Sequence, residues 1–369
     1  MTHSVSALKV DVNLSSFSPR EIAELGVLAD ELGYSSVWIP DHLADLPPSG
    51  DRVDPWVLLG AIGYRTKRIR LLTGVTDPVR IHPAKIANIV ATLDELTGGR
   101  ADLAIGAGEG MNLSRYGLPW DENPDERRTR LREAISVIRG LFRSSAPQPF
   151  TYHGKFHSLD RARIDQKPVH EVKVFMGALG GKKTLQMVGE IGDGWFPAIN
   201  SIEMFERGCK IIDESAKANN RDPGQIEKIH DAFVVLTNGD KEKERKSIDA
   251  FRNILFTLMS KPIMNELSEK GLISPSEKER YSELSYQYVD PTDEGVKKAF
   301  SLAKKIPPDT VAKYLTIGRN PAEIMDKLEP FVKAGARQIV LNDVYSLSVT
   351  ANSQDCQNFF REMSRELEN

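Results

Sequence analysis

Few features of this chain are typical of a secreted, membrane-bound or nucleic-acid-binding protein. It has only two cysteines, Cys209 and Cys356, in 369 residues, so a reducing cytoplasm is expected rather than a disulfide scaffold. The N-terminal residues MTHSVSALKVDVNL lack the basic region and apolar core of a signal peptide. No stretch approaches the roughly 18 apolar residues of a membrane span. A net charge of −3 makes neither nucleic acid nor a membrane surface an expected partner. The sequence predicts a cytoplasmic protein that acts on a small molecule.

Two kinds of ligand motif are also missing. No Walker-type phosphate loop occurs, and the one Gly-Gly turn that precedes a lysine pair does not follow G-x-G-x-x-G, which disfavours a nucleotide-dependent dehydrogenase. The histidines, cysteines, aspartates and glutamates show no metal-ligand spacing, so no metal is predicted. What remains is a globular composition, 40% hydrophobic and 27% charged.

The clearest pattern in the sequence lies between residues 69 and 112, which is typical of a strand–helix–strand unit. Ile69–Thr73 and Ala101–Ile105 are short apolar runs beside glycines, as in strands buried on both faces. Pro83 suits the first turn of the helix between them. Because parallel α/β folds bind ligands at the carboxyl ends of their strands, the turns after these two strands are the first candidates for a site.

Strands and helices alternate along the rest of the chain. Eight alternations predict an α/β fold, a (β/α)8 TIM barrel with insertions, and a doubly wound open sheet is the alternative. Residues 1–369 are expected to form a single barrel domain, with a hairpin excursion near residues 144–170. A mostly helical insertion near residues 241–307 is expected to pack on the outside. The predicted strands are Leu8–Leu14, Ser36–Pro40, Ile69–Thr73, Ala101–Ile105, Val172–Ala178, Trp195–Ala198, Ala232–Leu236 and Gln338–Asn342.

Two turns at the predicted carboxyl rim carry groups that can transfer protons. Asp41 and His42 end the second strand. There they could exchange a proton with a substrate oxygen or nitrogen, or Asp41 could simply cap a helix beside a solvent-facing histidine. Glu109 and Asn112 follow the fourth strand. A carboxylic acid in a water-poor barrel mouth has a raised pKa and could act as acid or base, and the amide could hold a cofactor. Alternatively, Glu109 stabilises the start of the next helix.

Two further turns offer backbone atoms. Gly74-Val75 follows the third strand, where glycine permits close approach of the backbone to a planar ring or forms an ordinary bulge. Gly180-Gly181 precedes Lys182 and a predicted helix. Free N–H groups and the helix dipole would make an anion site there, and the alternative is a simple turn with a solvated lysine.

Three segments of the chain resemble the bacterial-luciferase-like superfamily. They are Leu72 to Pro83 (LTGVTDPVRIHP), Leu96 to Gly108 (LTGGRADLAIGAG) and Gly192 to Trp195 (GDGW). Within the superfamily they are most similar to the branch that uses the 8-hydroxy-5-deazaflavin coenzyme F420. The first two resemble methylenetetrahydromethanopterin reductases, and the first also resembles F420-dependent ketoreductases. The turn GEGMN after the fourth strand instead resembles F420-dependent dehydrogenases of alcohols, sugar phosphates and hydroxymycolates, which carry GEA-x-N.

The resemblance implies a luciferase-like barrel with a non-prolyl cis peptide at Gly74-Val75, in a bulge that backs the deazaflavin ring. It implies a homodimeric, coenzyme F420-dependent oxidoreductase that transfers a hydride between the deazaflavin and a small substrate. That substrate would be a C1 unit on a pterin or a ketone/secondary-alcohol pair. The implied catalytic residues are His42, Glu109 and Asp41. The implied cofactor-binding residues are Asp41, Thr73, Gly74, Val75, Thr76, Glu109, Asn112, Gly180, Gly181 and Lys182.

Two other functions fit the same pattern of residues. One is an FMN-dependent luciferase-like monooxygenase, which needs reduced flavin and oxygen, and the other is a non-catalytic flavin-binding paralogue. A glucose-6-phosphate dehydrogenase is disfavoured, because the lysines and arginines of that family's phosphate site have no convincing counterparts. The insertion after the seventh strand is the expected source of substrate specificity.

Overall fold

A computed structural model of the chain describes residues 8–45, 52–281, 293–347 and 352–366. The strands are β1 Lys9–Asn13, β2 Ser36–Ile39, β3 Arg70–Thr73, β4 Leu103–Ile105, β5 Phe150–His153, β6 Ser158–Ala162, β7 Val174–Gly177, β8 Gly194–Phe196, β9 Glu227–Leu236, β10 Leu315–Gly318 and β11 Gln338–Asp343. Eight of them are parallel and form the centre of the structure, in the order β3-β2-β1-β11-β9-β8-β7-β4. Isolated bridges from Leu71 to Ala101 and from Thr76 to Ile105 join β3 to β4 and close the ring. The predicted TIM barrel is therefore confirmed, and the open sheet is wrong.

Helices surround the barrel, and the sequence explains where many of them begin. Ser18 and Glu21 form the predicted capping box at the first helix, with each side chain accepting a hydrogen bond from the other's backbone N–H. Proline opens five of the longer helices, where its missing N–H is harmless. The helices are α1 Pro19–Glu31, α2 Pro55–Arg65, α3 Pro83–Leu96, α4 Gly110–Leu113, α5 Pro124–Arg143, α6 Lys182–Ile191, α7 Ile202–Ala218, α8 Lys241–Glu269, α9 Pro275–Tyr281, α10 Asp293–Ala303, α11 Pro308–Val311, α12 Pro321–Lys333 and α13 Ser353–Met363.

Three parts of the described chain interrupt the regular alternation of strands and helices. The antiparallel hairpin β5–β6 lies in the predicted excursion, and α8 to α10 lie in the predicted insertion. The third, β10, pairs with the far end of β9 and was not predicted. The seventh barrel strand was also predicted too short: β9 begins at Glu227 rather than Ala232, because its polar residues mask the strand pattern. No helix in the described ranges has the length and apolar character needed to cross a membrane.

The inside of the barrel is filled in layers, and the larger of two cavities among the described residues lies at the carboxyl end. A buried apolar layer lies in the middle, built around Trp38, Leu72 and Phe175. Below it, Glu227 accepts hydrogen bonds from Lys9 and Lys173 at the amino end. Apolar side chains fill the middle of the barrel, and the amino end holds only a smaller cavity of about 150 Å³ among these ion pairs, so the carboxyl end is the place for a ligand.

Candidate active site

A cavity of about 430 Å³ lies at the carboxyl ends of the strands. The turns after β2, β3, β4 and β7 form one side of it. The ends of β1, β9 and β11, together with one face of α8, form the other side. Eight of the predicted site residues line it, and these are Asp41, His42, Gly74, Val75, Thr76, Glu109, Asn112 and Gly181.

Three glycines make one wall of the cavity smooth. The peptide bond between Gly74 and Val75 is cis, as the resemblance predicted. The Val75 side chain turns inward, where a Cβ on either Gly106 or Gly177 would lie 3.0 Å from Val75 Cγ2. Gly106 and Gly177 end neighbouring strands, β4 and β7. The Val75 side chain therefore occupies the space in front of Gly106 and Gly177, and a larger residue at either glycine would displace it.

Asp41 is held by a buried ion-pair network behind this wall. Its carboxylate accepts hydrogen bonds from Thr76 Oγ1 at 2.6 Å and from Arg80 Nη1 at 2.9 Å. Arg80 also pairs with Asp77, and the Asp41, Asp77 and Arg80 side chains are each no more than 10% exposed. Burial raises the pKa of Asp41, against the opposing effects of Arg80 and Thr76. The network fixes the geometry of the turns after β2 and β3.

His42 and Glu109 face each other across the cavity mouth. His42 Nε2 lies 3.5 Å from Glu109 Oε2, and His42 Nδ1 lies 3.7 Å from Asp45 Oδ2. Burial raises the pKa of Glu109, partly offset by His42. The Glu109 side chain is 37% exposed, and because it lines the cavity, a ligand can reach it. Burial alone would raise the pKa of Asp45, but Arg52 and His42 outweigh it and lower that pKa below its usual range.

Asn112, which lines the cavity, uses its amide to connect two of the surrounding turns. Its Oδ1 accepts hydrogen bonds from the backbone N–H groups of Leu43 at 2.8 Å and Ala44 at 3.3 Å. Its Nδ2 donates to Glu109 Oε2 at 3.3 Å. Asn112 therefore joins the turn after β2 to the turn after β4 and orients Glu109 towards His42.

The predicted anion site lies at the start of α6. Gly180 has a φ of +102°, which glycine adopts without strain, and Gly181 and Thr184 line the cavity. Lys182 is exposed and is not among the cavity-lining residues. Thr73, another predicted contact, is fully buried and donates its hydroxyl to the Ala104 carbonyl at 2.7 Å. Backbone N–H groups of the first helical turn remain the better anion donors.

Sequence reasoning missed the opposite wall. Asp231 and Asn342 lie at its base, and Asn342 Nδ2 donates to Asp231 Oδ1 at 2.7 Å. Helix α8 covers the wall with Asn253, Ile254, Thr257 and Leu258, so this part of the insertion is not on the outside as predicted. The signal for Asp231 was its place in the alternation Ile229, Asp231, Phe233, all on one face of a strand. Within the described ranges, no group of three histidines, cysteines, aspartates or glutamates is arranged to hold a metal ion.

Several known proteins are similar to this chain over most of its length. An F420-dependent glucose-6-phosphate dehydrogenase from Microbacterium testaceum (strain StLB037) is 28% identical over 333 residues, which is 89% of this chain and 88% of that protein. A 5,10-methylenetetrahydromethanopterin reductase from Archaeoglobus fulgidus is 29% identical over 324 residues, or 85% and 86% of the two chains.

Solved structures give the same fold. An F420-dependent secondary alcohol dehydrogenase in complex with an F420-acetone adduct superposes with a TM-score of 0.77 at 24% identity, covering 96% of this chain and 98% of that chain. The coenzyme F420-dependent tetrahydromethanopterin reductase from Methanopyrus kandleri gives a TM-score of 0.74 at 24% identity, covering 97% and 99%. The sequence model of the luciferase-like monooxygenase family matches residues 2–338. The chain therefore belongs to the luciferase-like monooxygenase family.

Proposed function

We propose that the chain is a coenzyme F420-dependent oxidoreductase, which transfers a hydride between the deazaflavin and a carbon of a small substrate. The observation that carries this proposal is the cavity itself, in which a glycine wall at Gly74, Gly106 and Gly177 stands beside the His42–Glu109 pair. The relatives named as F420-dependent enzymes support the choice of cofactor. The cofactor supplies the hydride-exchanging centre when it is bound.

The residues present fit such a cofactor. The wall at Gly74, Gly106 and Gly177 carries one small side chain, Val75, which packs on Gly106 and Gly177, so a planar ring would lie against Val75. The start of α6 at Gly180 and Gly181 offers backbone N–H groups for a phosphate. Two arginines of α5, Arg127 and Arg128, also line this part of the cavity, so an anionic end of the ligand would lie here. Asp41 and Thr76 would border the ring.

The residues at the cavity mouth would transfer the proton. When an alcohol carbon gives up a hydride, its hydroxyl must lose a proton, and in the reverse reaction the carbonyl oxygen must gain one. His42 Nε2 is the atom placed to take and return that proton. Glu109 Oε2, 3.5 Å from it, would stabilise the positive charge that the ring gains when it takes the proton, and Asp45 would hold the other ring nitrogen. Arg80 and Thr76 already bind the Asp41 carboxylate. In this scheme Asp41 therefore holds the turn after β2 in place and contacts the cofactor, and it does not transfer the proton.

We also propose that the protein forms a homodimer. Helix α2 exposes Val57 at 70% and Tyr64 at 79%. The two residues are seven positions apart and therefore lie on one helix face. Large apolar side chains grouped on one surface are typical of an interface.

The reaction is tested by turnover. Oxidised F420 with a series of secondary alcohols, and reduced F420 with methylenetetrahydromethanopterin or ketones, should separate the two substrate classes by the change in F420 absorbance. A parallel reaction with reduced FMN and oxygen tests the monooxygenase. We expect turnover with F420 only, and FMN-dependent oxygen consumption without any F420 turnover would refute the proposal.

A further inference from the structure

The base of the cavity contains a buried carboxylate that the scheme above does not use. Asp231 lies on β9 and is 6% exposed. Its neighbours at alternate positions, Ile229 and Phe233, face the barrel interior with it, since Ile229 belongs to the inner apolar layer and Phe233 lines the cavity. The residues between them pack outward against helices. The strand pattern therefore presents the Asp231 carboxylate to the ligand.

Asp231 differs from the other carboxylates of the cavity in its partners. Asp41 and Asp77 pair with Arg80, Asp45 pairs with Arg52, and Glu109 faces a histidine. In the part of the chain that the structure describes, Asp231 forms no ion pair, and its one hydrogen-bond partner is Asn342. A buried carboxylate without a cation favours its protonated form, and burial raises the pKa of Asp231 to about 8. At neutral pH the group thus offers both an O–H donor and an acceptor.

A second polar atom with spare hydrogen-bonding capacity lies beside this pair. Val12 of β1 pairs with Leu341 of β11, which places Asn13 next to Asn342 at the cavity base. Asn13 Oδ1 is buried, and no described residue donates a hydrogen bond to it. Buried polar atoms are rarely left unsatisfied, so a ligand group that donates here would satisfy it.

The wall above these residues is uncharged. The side chains that α8 contributes are Asn253, Ile254, Thr257 and Leu258. The neighbouring Arg252 is directed elsewhere, because its Nε donates to the Ile306 carbonyl at 3.0 Å and its Nη1 bonds Asp249. The arginines that line the cavity lie instead at the turns after β2 and β3 and on α5. An anionic substrate group would meet no cation among the described residues of the α8 wall.

We propose that Asp231, together with Asn342 and Asn13, is the subsite that recognises a second hydroxyl group of a neutral, hydroxylated alcohol or ketone substrate. This inference rests on the proposed function. It names the substrate class as an uncharged diol or hydroxyketone, in which the second hydroxyl lies near the reacting carbon. It predicts that this subsite does not bind the phosphate of a phosphorylated sugar, because the α8 wall offers that phosphate no cation.

The first test compares ligands that differ by one hydroxyl. Calorimetry on the F420-loaded protein would measure the dissociation constants of butan-2-ol and butane-2,3-diol. We expect the wild type to prefer the diol by about 10-fold, the scale of one hydrogen bond to a buried polar group, and Asp231→Leu to lose that preference. Asp165→Asn, which changes an exposed carboxylate, should keep it.

The second test needs no substrate. Among the strands that pair with β9, β8 and β10 carry no titratable residue and β11 carries only Asp343, which Asp231→Asn leaves unchanged. An aspartate with a folded-state pKa near 8 stabilises the fold most at low pH, and this contribution is lost as pH rises from about 4 to 8. The Tm of Asp231→Asn relative to wild type should therefore rise from pH 5 to pH 8 and then level off.

Each contrary result counts against either the subsite or the proposed function, but not against both. Loss of F420 affinity in Asp231→Asn, or equal binding of both alcohols by the loaded wild type, would overturn the subsite while leaving the proposed function intact. A flat Tm difference between pH 5 and pH 8 would overturn the neutral carboxyl on which the subsite depends. Failure of the wild type to bind F420 would instead overturn the proposed function.

Discussion

Replacing His42 by glutamine is expected to lower kcat by about 100- to 10,000-fold with any substrate that the wild type turns over with F420. That range is typical of the loss of a general acid–base group. The affinity for F420 should change little, because His42 contacts Asp45 and Glu109 at the mouth rather than the glycine wall. Steady-state kinetics and a fluorescence titration of F420 measure the two quantities separately.

The pH dependence of the same reaction reports on Glu109. Because burial raises the pKa of Glu109, its carboxyl stays protonated to a higher pH than an exposed glutamate. The ionised Glu109 carboxylate stabilises the positive charge that the His42 ring gains when it takes the proton. The kcat for alcohol oxidation should therefore rise as the pH passes the Glu109 pKa. Glu109→Gln should lack this rise. His153→Gln, which changes an exposed histidine of the hairpin, serves as control.

A His42→Gln variant with wild-type kcat would exclude histidine as the proton-transfer group.

Replacing Arg80 by methionine is expected to lower the free energy of unfolding by about 3–5 kcal/mol at neutral pH. Removal of one partner from a buried ion pair leaves an uncompensated charge, and the loss is of that order. Here one guanidinium serves two buried carboxylates, Asp41 and Asp77. Urea denaturation of the two proteins measures the difference.

Two control variants test whether the loss of stability comes from the buried ion pairs of Arg80 rather than from the removal of any arginine. Arg65→Met removes the exposed pair with Glu24 and should have little effect, because surface pairs contribute little. Adding Asp77→Asn to Arg80→Met should recover part of the stability, since one unpaired charge disappears. The destabilisation should also shrink at acid pH, because burial raises the pKa of Asp41 and its unpaired carboxylate then binds a proton. Equal effects of Arg80→Met and Arg65→Met would contradict the account of the network.

The alternation of strands and helices was sufficient to predict the barrel, because parallel barrel strands are short apolar runs that precede glycines or polar turns. All eight predicted barrel strands are present. The errors have physical causes. Strand β9 was shortened because Asp231 and His230 interrupt its apolar run. Strand β10, LTIG, was missed because it lies outside the eight-strand ring that the alternation predicts and pairs only with β9.

The sequence predicted the candidate site only where the residues that form it are close to one another in the sequence. The Gly74-Val75 turn and the acids after β2 and β4 are adjacent in sequence to the strands that position them. Arg80 could not be assigned, because its partner Asp41 lies 39 residues earlier and meets it only in the folded barrel. The same holds for Asp231 and Asn342, 111 residues apart. The catalytic and binding roles of the residues, the single-domain boundaries and the cytoplasmic location stay predictions.

The central claim is that a deazaflavin binds against the glycine wall, and equilibrium titration tests it most directly. Wild type, Gly177→Leu and Asp165→Leu would be titrated with oxidised F420, reduced F420 and FMN. A side chain on Gly177 meets Val75 at 3.0 Å, whereas Asp165 is exposed and does not line the cavity. We predict micromolar F420 binding by wild type and Asp165→Leu, none by Gly177→Leu, and no binding of FMN. Tight binding of FMN alone, or F420 binding that Gly177→Leu retains, would contradict the claim.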